Sequence, residues 1–247
     1  MAWCVSVITL FWKGRAMSIT LYELVGADAG RPFSPHCWKA RMALAHKGLS
    51  FETVPVPFTK VPMVEDGFAT IVPVLRDGEQ RVADSFKIAE YLDDAYPDRP
   101  TLFGGEGGRA LSRFVESWSQ RTIHPFISTS RPLLDIHGIL AEPDQVYFRE
   151  SRETHFGKPL EQVVVGYEER LDDFLDRLKP LRALLEGRPF IGGETPLFAD
   201  YIVFGAFQWL RIVSPWQALP ASDAVTDWFE RCLDLHGGEG RKVSAAA

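Results

Sequence analysis

The sequence predicts an α/β domain followed by an all-helical domain. Three observations carry that expectation. The first hundred residues alternate short apolar runs with one helical stretch, in the order strand, helix, strand, two paired strands, helix. A composition break follows at Pro97-Asp98-Arg99-Pro100 and Gly104-Gly105-Glu106-Gly107-Gly108, which is linker material. Beyond it apolar residues recur at helical spacing, and no convincing strand is found.

Ile19 to Leu24 is a short apolar run and reads as the first strand. Ser34 to Lys47 then reads as a helix, with Ser34 at the N-cap and Pro35 at the first helical position, where its missing N–H costs nothing. Cys37, Ala40 and Leu44 share its inward face, and Gly48 stops it. Phe51 to Pro57 is a second strand, parallel to the first because a helix connects them. Phe58 to Thr70 is a short helix or a loop over the site. Ile71 to Leu75 is apolar, and Asp77-Gly78 before Gln80 to Ala83 signals a hairpin. Asp84-Ser85 opens an amphipathic helix that Tyr96-Pro97 closes. This order of elements is that of a thioredoxin-like fold.

In the second half, Arg109 to Ile123 is a helix that Pro125 should kink or end. Glu142 to Phe156 is a polar helix. Pro159 starts a long one, striped by Leu160, Val164, Tyr167, Leu171, Phe174 and Leu178. Leu197 to Ile212 is apolar on nearly every face and should be the buried central helix. Ser222 to Leu235 is the last helix, and residues 237–247 should fray as a tail. The expected division is residues 1–16 as an extension outside the fold, 17–97, a linker at 98–108, and 109–236. In residues 1–16 the charge follows the apolar part, the reverse of a signal peptide, and Met17 is the expected start of the native chain; an amphipathic or anchoring tail is the alternative.

Composition narrows function. With 46% hydrophobic residues, 7 Trp and 17 Phe, the chain can bury a sizeable core. A net charge of −6 and no long basic run argue against nucleic acid as the main partner. The apolar run near the start is too short to span a membrane. Three scattered cysteines (Cys4, Cys37, Cys232) make no disulfide framework, nothing has metal-ligand spacing, and a reducing cytoplasm fits best.

Three features converge on chemistry. Ser34 stands where the helix dipole and free N–H groups favour an anion such as a thiolate. Val72-Pro73 puts a proline inside a good strand; a cis bond is the usual reason, and it would turn the Val72 backbone outward to pair with an extended peptide. Asp84-Ser85 opens a helix with N–H donors and a hydroxyl for a carboxylate. Read singly, these are two helix caps and an edge-strand proline. Together they suit a small acidic thiol peptide.

From Ile19 onward the chain resembles the glutathione transferase superfamily, on Ser34-Pro35, Val72-Pro73, Asp84-Ser85 and Ile88-Ala89-Glu90-Tyr91-Leu92-Asp93. Ser34-Pro35-His36-Cys37-Trp38, Leu44-Ala45-His46-Lys47-Gly48 and Tyr96-Pro97-Asp98-Arg99-Pro100 make it most similar to the bacterial glutathione-dependent β-aryl etherases and their fungal etherase-like relatives.

The resemblance implies glutathione as co-substrate. It implies Ser34 orienting the thiolate, Val72 beside Pro73 pairing with the cysteinyl backbone, and Asp84 and Ser85 holding the γ-glutamyl end. Lys60 is a candidate for the glycyl carboxylate, or a solvated loop lysine. Tyr22 is a rival thiol partner, ranked below Ser34 because it lies off the helix dipole. The second substrate, apolar and aromatic, would lie between the domains against Trp118, Phe126, Phe207, Trp209 and Trp216. The implied activity is transfer of the glutathione thiolate to that electrophile, in its sharpest form cleavage of a β-aryl ether, as in detoxification, by a homodimer. The alternatives are storage of an apolar ligand without turnover, or glutathione-dependent reduction through Cys37. Ser34 replaces the first cysteine of a dithiol motif and cannot form a mixed disulfide, and Cys37 reads as a small inward hydrophobe. Superfamily members place Ser, Thr or Asn three residues before Asp200; Leu197 stands there, so Thr195 or Asp200 alone must cap that helix.

Overall fold

The computed structural model describes residues 19–247; the expectations for residues 1–16 and Met17 fall outside them. A four-stranded mixed sheet forms the first half, with strands β1 (Ile19–Leu24), β2 (Phe51–Val56), β3 (Val74–Asp77) and β4 (Gln80–Ala83) in the order β2-β1-β3-β4. β1 pairs parallel with β2 and antiparallel with β3, and β3–β4 is a hairpin turning at Gly78-Glu79, where Gly78 supplies a φ of 59°. Helix α1 (Pro35–His46) connects β1 to β2, and α2 (Ser85–Ala95) follows β4. This is the thioredoxin-like arrangement that the order of elements predicts. The strand expected from Ile71 begins only at Val74, after a cis Val72–Pro73 bond; proline has no N–H for the ladder. Phe58–Gly67 is a 3-10 segment between β2 and β3.

The second half is helical: α3 (Glu106–Ser128), α4 (Pro132–Ile139), α5 (Glu142–Phe156), α6 (Leu160–Val163), α7 (Leu171–Arg177), α8 (Lys179–Leu185), α9 (Phe198–Val213) and α10 (Ala224–Gly238). Among the described residues no helix is long and apolar enough to cross a membrane. α9 is buried along nearly its whole length and packs on both α1 and α3, which joins the two halves.

Three expectations change. α3 runs through Pro125 to Ser128. The proline lies in the last turns, and its own carbonyl is satisfied by the Thr129 hydroxyl at 2.8 Å. The long helix from Pro159 is broken between α6 and α7, where Gly166 takes a φ of 70°; Leu160, Phe174 and Leu178 still reach the core. The tail does not fray. Gln208 Nε2 donates to the Gly240 carbonyl at 2.8 Å, an Arg211 guanidinium nitrogen donates to the Val243 carbonyl at 2.8 Å, and Val243 is buried. These carbonyls give the polar groups of the otherwise apolar α9 their partners.

α9 solves its missing cap through Asp200 alone. The buried carboxylate accepts from Leu197 N–H at 2.9 Å, Ile191 N–H at 2.7 Å, Gly192 N–H at 2.9 Å and Trp228 Nε1–H at 2.9 Å. Leucine has no acceptor, so one acid takes over the work of a capping hydroxyl and also ties down the preceding turn.

Candidate functional site

Ser34 is held by its surroundings on three sides. Trp38 Nε1 donates to the Pro32 carbonyl at 2.9 Å and fixes the loop, and Phe33 N–H donates to the Leu24 carbonyl at 3.1 Å, tying it to the end of β1. From the far side Gly205 of α9 approaches so closely that a Cβ there would stand 2.4 Å from the Pro35 carbonyl oxygen. Ser34 caps α1, its Oγ accepting from Cys37 N–H at a long 3.4 Å. The hydroxyl proton has no acceptor among the described residues.

Ser34 opens onto a cavity of about 570 Å³ between the two halves. Pro35, His36 and Phe33 continue its wall from α1 and the loop before it, and Val72 contributes from the segment before β3. His124 comes from α3, Tyr147, Phe148, Arg152 and Phe156 from α5, and Trp209 from α9. Neither backbone polar group of Val72 pairs with another described residue. The carbonyl of Pro73 accepts from Asp84 N–H at 3.3 Å, which sets the start of α2 directly beside that open backbone.

Asp84 adopts a φ of 81°, rare for a residue with a Cβ, and its Oδ1 accepts from Phe86 and Lys87 N–H, both at 3.0 Å. One oxygen of its carboxylate caps α2, and the other has no partner among the described residues. Ser85 is different. Its Oγ is buried without a partner, an uncommon condition for a hydroxyl. Pro73, Asp84 and Ser85 do not line the cavity, and Lys60 is exposed on the 3-10 segment whose Phe58, Val61 and Pro62 do line it.

Of the expected aromatic wall, only Trp209 lines the cavity. Phe126 faces inward, stacked on Phe174 with ring centroids 3.9 Å apart, and Trp216 packs against Phe126 and Tyr167. Phe207 is buried against Phe229, and Trp118 packs half-buried on the core. The wall is built instead by aromatics of α5, whose polar composition hid them, and by Phe58, held 5.7 Å from Phe148. Asp144 of α5 positions Phe58: its two carboxylate oxygens accept from Phe58 N–H and Thr59 N–H, each at 2.9 Å.

The rival thiol partners are elsewhere. The Tyr22 hydroxyl donates to Glu65, and burial and that carboxylate raise its pKa; Tyr22 does not line the cavity. Cys37 is fully buried, and burial pushes its thiol up to about 12, which leaves no thiolate near neutral pH. The six histidines lie scattered along the sequence. The fold stacks His36 on His124 with centroids 5.3 Å apart, and His124 lies 5.9 Å from Trp209. Burial, with the nearby Lys39 ammonium, lowers His36 well below its usual value and takes His124 down to about 3. Both are neutral at physiological pH, and His124 Nε2 is buried without a partner among the described residues. Lys39 is fully buried as well, its ammonium reaching Glu116 of α3 at 3.2 Å.

Comparison with known proteins accords with this geometry. Residues 29–100 match the family description "Glutathione S-transferase, N-terminal domain", and residues 110–235 match "Glutathione S-transferase, C-terminal domain". The chain is 28% identical over 211 residues to the glutathione S-transferase-like protein ustS of Aspergillus flavus, covering 72% of this chain and 74% of that one. Among solved structures, the glutathione transferase GSTFuA2 of Phanerochaete chrysosporium aligns with a TM-score of 0.72 at 28% identity, over 93% of this chain and 99% of that one. A glutathione S-transferase of Ceriporiopsis subvermispora, solved in complex with glutathione, shares the fold with a TM-score of 0.67 at 22% identity, over 91% and 94%.

Proposed function

Because the chain belongs to the glutathione S-transferase family, whose co-substrate is glutathione, we propose that it transfers the glutathione thiolate to an apolar, aromatic electrophile held in the cavity between its two halves. The observation that carries this reading is the free Ser34 hydroxyl at the N-terminus of α1, facing a cavity large enough for a second reactant. Helix dipole and hydroxyl both favour a thiolate over a thiol at that point. The open Val72 backbone suits the cysteinyl amide, and the orphaned Ser85 hydroxyl suits the γ-glutamyl carboxylate.

In the reaction the sulfur lone pair forms a bond to the electrophilic carbon, and the leaving group departs with the electrons of the broken bond. Cleavage of a β-aryl ether, with a phenolate leaving, is the sharpest form of the proposal, supported by the aromatic wall and by the etherase-like motifs around Ser34. Reduction through Cys37 has nothing to support it, since that sulfur is buried and protonated. Exposed Leu111 and Phe114 on α3 support a homodimer, and the buried free thiols Cys37 and Cys232 suit the cytoplasm.

The test is turnover of a chlorodinitrobenzene and of a panel of β-aryl ethers, with calorimetric titration of glutathione. Binding and turnover together support the transferase. Glutathione binding with no turnover of any electrophile would replace it with ligand storage.

A further inference from the structure

The chain carries 33 acidic residues and a net charge of −6, yet no Asp or Glu side chain lines the cavity. Its ionisable wall is His36, His124, Tyr147, His155 and Arg152. Arg152 is the exceptional one. Its guanidinium lies over the Phe148 ring at 4.9 Å and the Phe58 ring at 5.9 Å. Its one hydrogen bond goes to Ser151 Oγ at 3.0 Å, and it forms no ion pair with any described residue.

Three acids of this region, Asp144, Glu153 and Glu161, are engaged elsewhere, and Glu150 of α5 forms no ion pair with Arg152. Asp144 is committed to the Phe58 and Thr59 amides. Glu153 accepts from Arg149 at 2.9 Å and from Leu160 N–H, while Glu161 takes the other arm of Arg149 at 2.9 Å. Arg149 is thereby paired with two carboxylates, whereas Arg152 is left with most of its donors unmet. Burial lowers its pKa, the mark of a cation partly stripped of water. An unpaired, half-buried guanidinium is costly, and its planar fork matches a carboxylate in two parallel hydrogen bonds.

We propose that Arg152 determines specificity for the second substrate: the aromatic electrophile carries one carboxylate on an otherwise apolar body, its ring among Phe58, Phe148 and Trp209 and its carboxylate on the Arg152 guanidinium. This rests on the transferase reading above. Glutathione also carries a carboxylate that could reach a cation. Ser34, Val72 and Ser85 all belong to the first half of the chain, however, whereas Arg152 projects from α5 across the cavity.

The experiment compares 4-chloro-3,5-dinitrobenzoate with its methyl ester, a pair that reacts by the same step, S–C bond formation with loss of chloride; each rate is divided by the uncatalysed rate, because the ester withdraws electrons more strongly than the carboxylate. Wild type, Arg152→Met and Arg152→Lys are assayed for kcat/KM, for binding of each compound by quenching of tryptophan fluorescence, and for glutathione affinity by calorimetry. Wild type should favour the acid. Arg152→Met should lose about tenfold or more on the acid, the scale of one charged hydrogen-bonded contact, with little change on the ester or in glutathione affinity. Arg152→Lys should fall between, because it keeps the charge and loses the fork.

Equal affinity of wild type for acid and ester would overturn the proposal. So would weaker glutathione binding in Arg152→Met with an unchanged acid-to-ester ratio, which would assign Arg152 to the peptide. If Arg152→Met does not fold, the acid-to-ester binding ratio in wild type and in Arg152→Lys decides. If wild type turns over neither compound, the wider electrophile panel decides the transferase reading, and the binding measurements still decide whether Arg152 selects an aromatic acid.

Discussion

Ser34 and Ser85 both stand at helix starts, and their hydrogen bonding separates their tasks. Ser34 accepts one long bond from Cys37 N–H and keeps its proton for a ligand. Ser34→Ala deletes the hydrogen bond to sulfur and leaves the helix dipole in place, at a cap cost of about 1 kcal/mol. Turnover should therefore fall more than about tenfold while glutathione affinity changes little, and the pKa of bound glutathione, read from thiolate absorbance, should rise. Wild-type turnover and pKa in the variant would reduce Ser34 to a cap. The Ser85 hydroxyl makes no bond within the protein. Ser85→Ala should weaken glutathione by roughly 1.5–3 kcal/mol in calorimetry, yet leave the melting temperature of the free protein equal or higher, because an unmet buried hydroxyl has been removed. A fall in stability with unchanged affinity would make it a structural residue. These two serines were legible in the sequence because each sits at a helix start, next to a proline or an aspartate. Arg152 and the His36–His124 stack were not: no spacing in the chain relates α1, α3 and α5, and only their packing brings the three together.

The elements show the same division between local and tertiary signals. β1, α1, the β3–β4 hairpin and α9 follow from turn residues, caps and apolar patterning, and they lie where those signals place them. The break between α6 and α7 follows from the left-handed Gly166, which an apolar stripe running through it concealed. The docked tail follows from the carbonyls that Gln208 and Arg211 require, polar groups on a helix whose sequence advertises only burial. The contact of α9 with α1 is the tightest constraint on the site. Gly205→Ala places a methyl 2.4 Å from the Pro35 carbonyl, backbone that cannot move without carrying Ser34 along. The better helix propensity of alanine should be outweighed: denaturant melts should show a net loss of about 1–3 kcal/mol, and glutathione turnover should drop with it. A variant as stable and active as wild type would mean that the helices separate freely. On the outer face of α3, Phe114 is 68% exposed. Phe114→Asp should shift the chain from dimer to monomer in sedimentation velocity; a wild type that is already monomeric removes the homodimer.

At the scale of the whole molecule, the two halves meet across histidines kept neutral. His36 of α1 stacks on His124 of α3 beside the buried Lys39. Farther along, His46 Nδ1 lies 2.7 Å from the Tyr201 hydroxyl, which lies 2.8 Å from His236 Nε2, while His46 Nε2 faces the Thr101 carbonyl at 3.1 Å. A carbonyl can only accept, so His46 carries its proton on Nε2, Tyr201 donates to Nδ1, and His236 donates to Tyr201. A further proton on His46 would reverse the Tyr201 hydroxyl and change the His236 tautomer. Burial lowers all four imidazoles from 6.5, His124 to about 3 and His236 to about 4. With folded pKa values depressed, the unfolded chain binds more protons below pH 6.5, so their contribution to stability is complete above that value and is lost as pH falls toward 4. Glu23 works in the opposite sense. Burial raises it to about 7 despite Arg41 at 2.7 Å, so its contribution declines as pH rises from 4.5 to 7. Four histidines oppose two carboxyls, Glu23 and the buried Asp200, which burial also raises, and each proton fully excluded from the fold is worth about 1.4 kcal/mol per pH unit. The melting temperature should accordingly drop between pH 7.5 and pH 5, well above the range where ordinary surface carboxylates titrate. His124→Gln should flatten that drop, since one of the four titrating groups is gone and its interface position stays filled. A melting temperature constant from pH 7.5 to pH 5 would show that the interface accepts protonated imidazoles, and that its neutrality plays no part in holding the halves together.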